Sequence, residues 1–394
     1  MIRHTNSHTS IRVPSSRRAI LARASAIALL IVWAAAPSKA ARADSSPTPA
    51  PAAAAPVAKA AAAAPAPAPA LPEAPSTVNA TYVDPSATVA LAPGQKLSHL
   101  YARNMSQPYI LQRLTEHTYF FQRQFYGTTF YVGTKGVLLF DPLDDRAPQL
   151  LQAIAEVTKL PVTAIVYSHD HADHIGSAQA ILDASKAAGV KKVRIIASRA
   201  TADKMKVLKS HHPAPTEIVA WPAGSFKFEG LVVKLSGFER AAHADDHAAW
   251  LLVGEKVVHL PDHINPDQPP FWGFAADENF IYFESNLEQL AKLDWVYLNG
   301  GHGNVGSRAD LDFYRTFIGD LKQAVGAALG QVPWGTGVDA SRVNAHTYFL
   351  PAWLAGVAKK ATDTLRPKYG RTYGFEAGTP RNAEMVALAM FSYR

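Results

Sequence analysis

From about residue 77 the apolar positions fall into short runs divided by turn residues. Thr129–Val132 and Val137–Phe140 flank the turn Gly133-Thr134-Lys135-Gly136, which predicts a hairpin of buried strands ending at Asp141. Leu150, Leu151, Ile154 and Val157 recur at helical spacing over 147–158, and Pro161 closes that segment. An apolar strand, Ala164-Ile165-Val166-Tyr167, comes next, and 175–188 is again helical in pattern. Further short strands are predicted at 193–197, 217–221, 231–235, 250–253 and 256–260. Helices are predicted at 284–293 and 309–327, with a strand at 295–298 between them. No tandem repeat of fixed period is present, and this order predicts a mixed α/β sandwich with helices outside packed sheets, spanning residues 77–330. Residues 331–394 form a helical extension that packs on the domain or makes an oligomer contact. Within it, Leu354, Val357 and Ala361 share one face of a helix predicted over 352–365, and core packing is the expected purpose.

Upstream of residue 77 the pattern changes. Residues 1–43 combine a basic leader, thirteen small and apolar residues from Ala24 to Ala36, and small residues at Ala41 and Ala43, the arrangement of an export signal cleaved after Ala43. A thirteen-residue helix spans ~20 Å, short of the ~30 Å hydrocarbon core of a bilayer, so no stable membrane anchor is expected. Ser16-Arg17-Arg18-Ala19-Ile20-Leu21 looks like a twin-arginine signal, and the expected location is periplasmic or secreted. Residues 44–76 are rich in Ala and Pro, the composition of a disordered, extended linker.

The leader also changes the meaning of the charge. The chain has a net charge of +7, but seven of its 39 Lys and Arg lie before residue 44. The remaining body is close to neutral and lacks the basic surface that displaces counterions from nucleic acid, so no nucleic-acid partner is expected. Hydrophobic residues at 48% and charged residues at 18% exclude wholesale disorder and a multi-span membrane protein. There is no cysteine, so an exported chain of this kind has no disulfides, and any metal must be held by imidazole and carboxylate.

Candidate chemistry is concentrated directly after the strand at 164–167, in Ser168-His169-Asp170-His171-Ala172-Asp173-His174. Residues two apart on an extended stretch project to the same side, so His169 and His171 can grip one ion together. A turn at Ala172 would swing Asp173 and His174 toward a second ion. An isolated His-x-His carries little information, but this density of ionisable side chains at the end of a buried strand points to metal.

This string resembles the His-x-His-x-Asp-His signature of the metallo-β-lactamase fold superfamily. Ala242-His243-Ala244-Asp245-Asp246-His247, Leu260-Pro261-Asp262-His263 and Gly300-Gly301-His302-Gly303 follow in the order of that family's remaining ligand segments, and the resemblance covers roughly residues 115–325. It implies a four-layer αββα sandwich with the C-terminal helical extension lying outside it. It also implies two divalent ions, zinc by default and iron or manganese on the same donors. His169, His171 and His243 would hold one ion, Asp173, His174 and His302 the other, and Asp262 would bridge them. The activity implied is that of a hydrolase in which a metal-bridging hydroxide attacks an ester, lactone, lactam or similar acyl bond of a small-molecule substrate, with Asp173 shuttling a proton. Alternatives within the same fold are an iron-dependent oxidoreductase resembling the sulfur dioxygenases, and a hydrolase of alkyl sulfates or phosphodiesters.

Other residues are expected to play lesser parts. Asp141 is read as orienting a ligand histidine, and His247 and His263 as supporting or surface residues. His211 and His212 sit in a proline-flanked loop and are expected to be solvated. The aromatic loop Pro266–Phe274 either walls an apolar substrate pocket or plugs the edge of the sandwich. Substrate identity and oligomeric state are left open by the sequence.

Overall fold

The computed structural model describes residues 72–342 and 345–393; the expected export signal and most of the expected linker lie outside them. β1 (Tyr82–Val83) and β2 (Lys96–Leu97) pair in parallel, and α1 (Leu100–Ser106) follows. Seven strands then lie side by side in chain order: β3 (Ile110–Arg113), β4 (Thr118–Arg123), β5 (Tyr126–Val132), β6 (Val137–Phe140), β7 (Val162–Val166), β8 (Arg194–Ser198) and β9 (Glu217–Val219). β3 to β6 are antiparallel neighbours. From β6 onward the pairing is parallel, which demands crossovers. These run through α2 (Ala147–Val157), then α3 (Ala172–Ile175) with α4 (Ala178–Ala187), then α5 (Arg199–Val207).

A second sheet of six strands is again in chain order: β10 (Ala223–Phe228), β11 (Leu231–Gly237), β12 (Ala248–Leu252), β13 (Val257–His259), β14 (Tyr297–Asn299) and β15 (Val305–Gly306). Only β13 and β14 pair in parallel within it, and the segment joining them holds α6 (Gly273–Ala276) and α7 (Phe283–Ala291). Three long helices complete the described chain: α8 (Arg308–Gln331), α9 (His346–Tyr369) and α10 (Phe375–Ser392).

The period of two along the strands assembles the layers. Leu138 and Phe140 of β6, Val166 of β7, Val233 and Leu235 of β11, Trp250 of β12 and Val257 of β13 are buried together between the sheets. Their neighbours point the other way. Leu139, Ile165 and Ile195 pack under Leu150, Ile154 and Ile181 of the helices on one outer face. Leu251, Val258 and Leu298 pack under α7 to α10 on the opposite face, with Leu311, Phe317 and Leu321 of α8 and Val357, Ala361 and Val386 of the last two helices. The result is the four-layer αββα sandwich expected, with the C-terminal helices extending its outer α layer.

The predicted hairpin, the helix at 147–158 and the strands around residues 165, 195, 233, 251 and 258 fall within a few residues of their expected places. Strands β3, β4 and β10 and helices α5 and α10 have no counterpart in the sequence reading. Residues 72–76, assigned to the linker, lie against the domain instead. Ser76 Oγ donates to Asp267 Oδ1 at 2.8 Å, and the Thr77 amide donates to the same oxygen at 3.1 Å. Proline and alanine alone give no hint of this docking, which depends on a carboxylate 190 residues away.

Candidate metal centre

Four loops meet beyond the carboxyl ends of β7, β11, β13 and β14, the side of an open α/β sheet where ligands gather. The turn after β7 supplies His169, His171, Asp173 and His174, while His243 lies between β11 and β12. Asp262 follows β13, and His302 follows β14. Backbone geometry sharpens two of these turns. Asp262 sits at φ 65°, in the left-handed region that a non-glycine residue occupies only when its surroundings over-determine it. Gly301, at φ 75°, faces Pro261 and His174 so closely that a Cβ would lie 2.7 Å and 3.0 Å from their side chains.

All seven sequence-predicted residues converge. His169, His171, His243 and Asp262 form one group and Asp173, His174, His302 and Asp262 a second, the donor atoms of each lying within 4.8 Å of one another. In the first, His243 Nε2 is 3.3 Å from His169 Nε2 and 3.1 Å from His171 Nδ1. In the second, Asp262 Oδ2 is 2.8 Å from His174 Nε2, and Oδ1 is 3.0 Å from His302 Nε2. Asp173 Oδ2 stands 3.4 Å from His174 Nε2 and 3.8 Å from His302 Nε2.

The donor set fits divalent ions. Three imidazoles turn ring nitrogens toward one another, although a neutral imidazole has only one N–H to donate. Their 3.1 and 3.3 Å separations match the roughly 3.3 Å between nitrogens bound at ~2.0–2.1 Å to one tetrahedral ion. Burial, followed by neighbouring imidazoles in the case of His169, holds the pKa values of His169 and His243 well below the usual range, so both offer lone pairs. Burial opposes ionisation of Asp262, but His174 and His302 outweigh it and keep the carboxyl well below its normal value. For His174, burial is outweighed in turn by Asp262 and Asp141, which raise its pKa.

Outer partners aim the imidazoles. His302 Nδ1 donates to the Phe125 carbonyl at 3.0 Å, which leaves Nε2 free to face Asp262. Ser168 Oγ is 2.9 Å from His169 Nδ1. Asp141 Oδ2 lies 3.4 Å from His174 Nδ1 and 2.8 Å from His259 Nε2, while Oδ1 accepts the Ser168 amide at 2.8 Å. Asp141 therefore lies behind His174 and stands outside both donor groups. Three supporting residues escaped the sequence reading. Asp246 Oδ2 accepts the Asp170 amide at 2.7 Å and so pins the histidine-rich turn, with Lys204 Nζ 3.1 Å from its other oxygen. Asp277, 3.6 Å from His243 Nδ1, is buried and its carboxyl is pushed well above the normal range by burial and then by Asp262. His259 is the third. Of these, only Asp246 carried a sequence signal, through its position inside the Ala242–His247 segment.

The remaining histidines stay outside the donor groups. His247 is buried and bonds the Pro261 carbonyl at 2.6 Å, and His263 is buried beside Phe283. His211 is exposed and His212 half-buried. The aromatic loop does both things expected of it as alternatives. Phe271 and Trp272 are about half exposed beside the centre, while Phe274 is buried in the core.

Residues 123–304 match the family model described as the metallo-beta-lactamase superfamily. Among solved structures, a metallo-beta-lactamase from Pontibacter korlensis aligns with a TM-score of 0.46 at 16% identity, over 54% of this chain and 99% of its own. The metallo-beta-lactamase IND-7 aligns with a TM-score of 0.45 at 17% identity, over 54% and 99% respectively. No curated protein matches the chain in sequence. The stretch from residue 123 to residue 304, which carries all seven converging side chains, belongs to the metallo-β-lactamase superfamily.

Proposed function

We propose that this protein is a metal-dependent hydrolase with a dinuclear centre that cleaves an acyl bond such as that of an ester, lactone or lactam. The observation that carries this reading is Asp262, a buried carboxylate common to two otherwise separate donor groups. His169, His171 and His243 would hold one ion, and Asp173, His174 and His302 the other, with Asp262 shared. Zinc suits borderline nitrogen and oxygen donors in a chain without thiolates, and iron or manganese takes the same donors. Ions held there would supply a nucleophile from water at neutral pH and would polarise the acyl oxygen.

The chain's own residues supply the rest. The Asp173 side chain is 41% exposed where that of Asp262 is 4% exposed, and it faces the cavity over the centre. It is the carboxylate positioned to take a proton from the nucleophile and return it to the leaving group. Tyr126 packs edge-on against the His302 ring at 4.9 Å and limits where that imidazole can turn. Export follows from the leader over residues 1–43 and belongs to the same proposal.

Elemental analysis and a chromogenic panel test this reading together. The expected result is two zinc ions per chain and turnover of at least one aryl ester, thioester, lactone or cephalosporin. Bound iron with oxygen consumption and no acyl turnover would replace hydrolysis by oxidation, and cleavage confined to sulfate or phosphodiester substrates would move the reaction away from acyl transfer.

A further inference from the structure

The cavity over the centre measures about 940 Å³, at the upper end of the ~300–1,000 Å³ usual for small-molecule sites. Much of its wall comes from outside the matched segment: residues 72–75, the start of α1, and the α9–α10 junction at 370–377. Rings dominate that wall. Tyr101 lies 5.6 Å from Phe125 and 5.5 Å from Tyr373, centroid to centroid. The Phe271 ring is parallel to that of His302 within 8° at 6.1 Å, so the aromatic surface runs up to a candidate ligand. Tyr101, Phe271, Trp272 and Tyr373 are exposed and line this one cavity, and apolar surface gathered in one place marks a binding site where scattered exposed rings do not.

The charge on this wall is one-sided. No Lys or Arg is among the described residues lining it, whereas Glu73, Asp267 and Glu376 are, in addition to the candidate ligands. Those acids already have partners. Glu376 accepts Arg366 Nε at 2.7 Å, Asp267 accepts the Tyr82 hydroxyl at 2.7 Å, and Glu73 accepts the His99 amide. Arg146 and Arg381 stack near the Tyr126 and Trp272 rings at 3.9 and 5.7 Å without lining the cavity. A carboxylate on the body of a substrate would therefore be desolvated against rings, beside acids, with no cation to pair with. An uncharged aromatic body would find complementary faces.

We infer that the substrate is an uncharged acyl compound with an aromatic or similarly broad apolar body. Its reactive carbonyl lies at the centre and its body against Tyr101, Phe271, Trp272 and Tyr373. The inference rests on the acyl-hydrolase reading above and names the substrate class for that site.

Three p-nitrophenyl esters with one leaving group test it on the zinc-loaded protein: the acetate, the 3-phenylpropanoate, and the 3-(4-carboxyphenyl)propanoate. The expected kcat/KM for the phenylpropanoate exceeds both of the others by about tenfold or more, the range a well-fitted apolar pocket discriminates. In Phe271→Ala and Tyr373→Ala, both at exposed positions that leave the core intact, the preference for phenylpropanoate over acetate falls by about fivefold or more. Equal rates on the three esters, preference for the carboxylate-bearing one, or an unchanged preference in both variants would overturn the inference while leaving the hydrolase reading standing. Hydrolysis of none of the three by protein carrying its full zinc complement would overturn the inference, and the hydrolase reading falls with it when thioester, lactone and cephalosporin are left intact as well.

Discussion

Asp277 shows what a single buried carboxyl does at this centre. It lies on the segment between α6 and α7, 3.6 Å from His243 Nδ1, and neither of its oxygens has a hydrogen bond. Packed behind Nδ1, it limits where the ring can turn while Nε2 faces His169 and His171, and outer partners of this kind are typically worth ~10–100-fold in metal affinity or activity. Asp277→Ala is therefore expected to weaken metal binding by about that factor, measurable by competition with a chromogenic chelator. Asp262→Ala should act differently, since that carboxylate serves both donor groups: metal content should fall below two ions per chain and turnover should be lost. The contrast also explains what was legible at this scale. Four of the candidate ligands crowd into residues 169–174, a density visible along the chain, whereas His243, Asp262 and His302 are implied by the resemblance to the family's motifs. Asp277 and Ser168 are ordinary polar residues in loops, and only folding places them behind an imidazole.

Among the elements, α10 exerts most control over the site from outside the matched segment. Its Asn382 accepts the Phe274 amide at 3.0 Å and donates to the Pro270 carbonyl at 2.7 Å, gripping the aromatic loop at its middle and at its end. Gly378 lets the helix approach so closely that a Cβ would lie 3.0 Å from the Pro270 oxygen. The grip matters because Phe274, Ala275 and Ala276 all hold positive φ, between 52° and 62°, a conformation that costs non-glycine residues roughly 1–2 kcal/mol each. Asn382→Ala leaves the buried Pro270 carbonyl without this donor and the Phe274 amide with the Phe271 carbonyl as its remaining acceptor, and should cost ~1–3 kcal/mol, read as a shift in the urea midpoint. The released loop should also raise KM more than it lowers kcat. Strands such as β6, an unbroken apolar run, and β11, which alternates, were legible because both patterns are short-range signals. α10 was not, because Gly378, Pro380 and its many alanines read as loop or low amphipathicity, and its helical state depends on packing against α8 and α9.

Across the whole molecule, the cavity wall and the fold share one buried ion pair. Lys96 Nζ lies 2.6 Å from Asp310 Oδ2 and donates to the Val305 carbonyl at 2.6 Å, with both side chains almost fully buried. Asp310 also caps α8 through Ser307 and accepts the Asp267 amide at 3.0 Å, and Asp267 in turn holds Tyr82 and Ser76. One lysine thus ties the amino-terminal segment, the loop after Asp262 and the start of α8 into a single network beside the cavity. Lys96→Met should destabilise the fold by ~3–5 kcal/mol, because it strands a buried charge, and adding Asp310→Asn should recover part of that loss in a denaturant titration. Since the candidate ligands hang from the sheet ends and make no contact with this pair, folded Lys96→Met should keep its metal stoichiometry while KM rises. Bound metal should then offset the damage. A ligand that binds only the folded state at about 1,000 times its Kd adds ~4 kcal/mol, so zinc titration should raise the melting temperature of Lys96→Met, and a chelator should lower it. A melting temperature indifferent to both would mean that the seven side chains do not bind an ion tightly enough to support the fold.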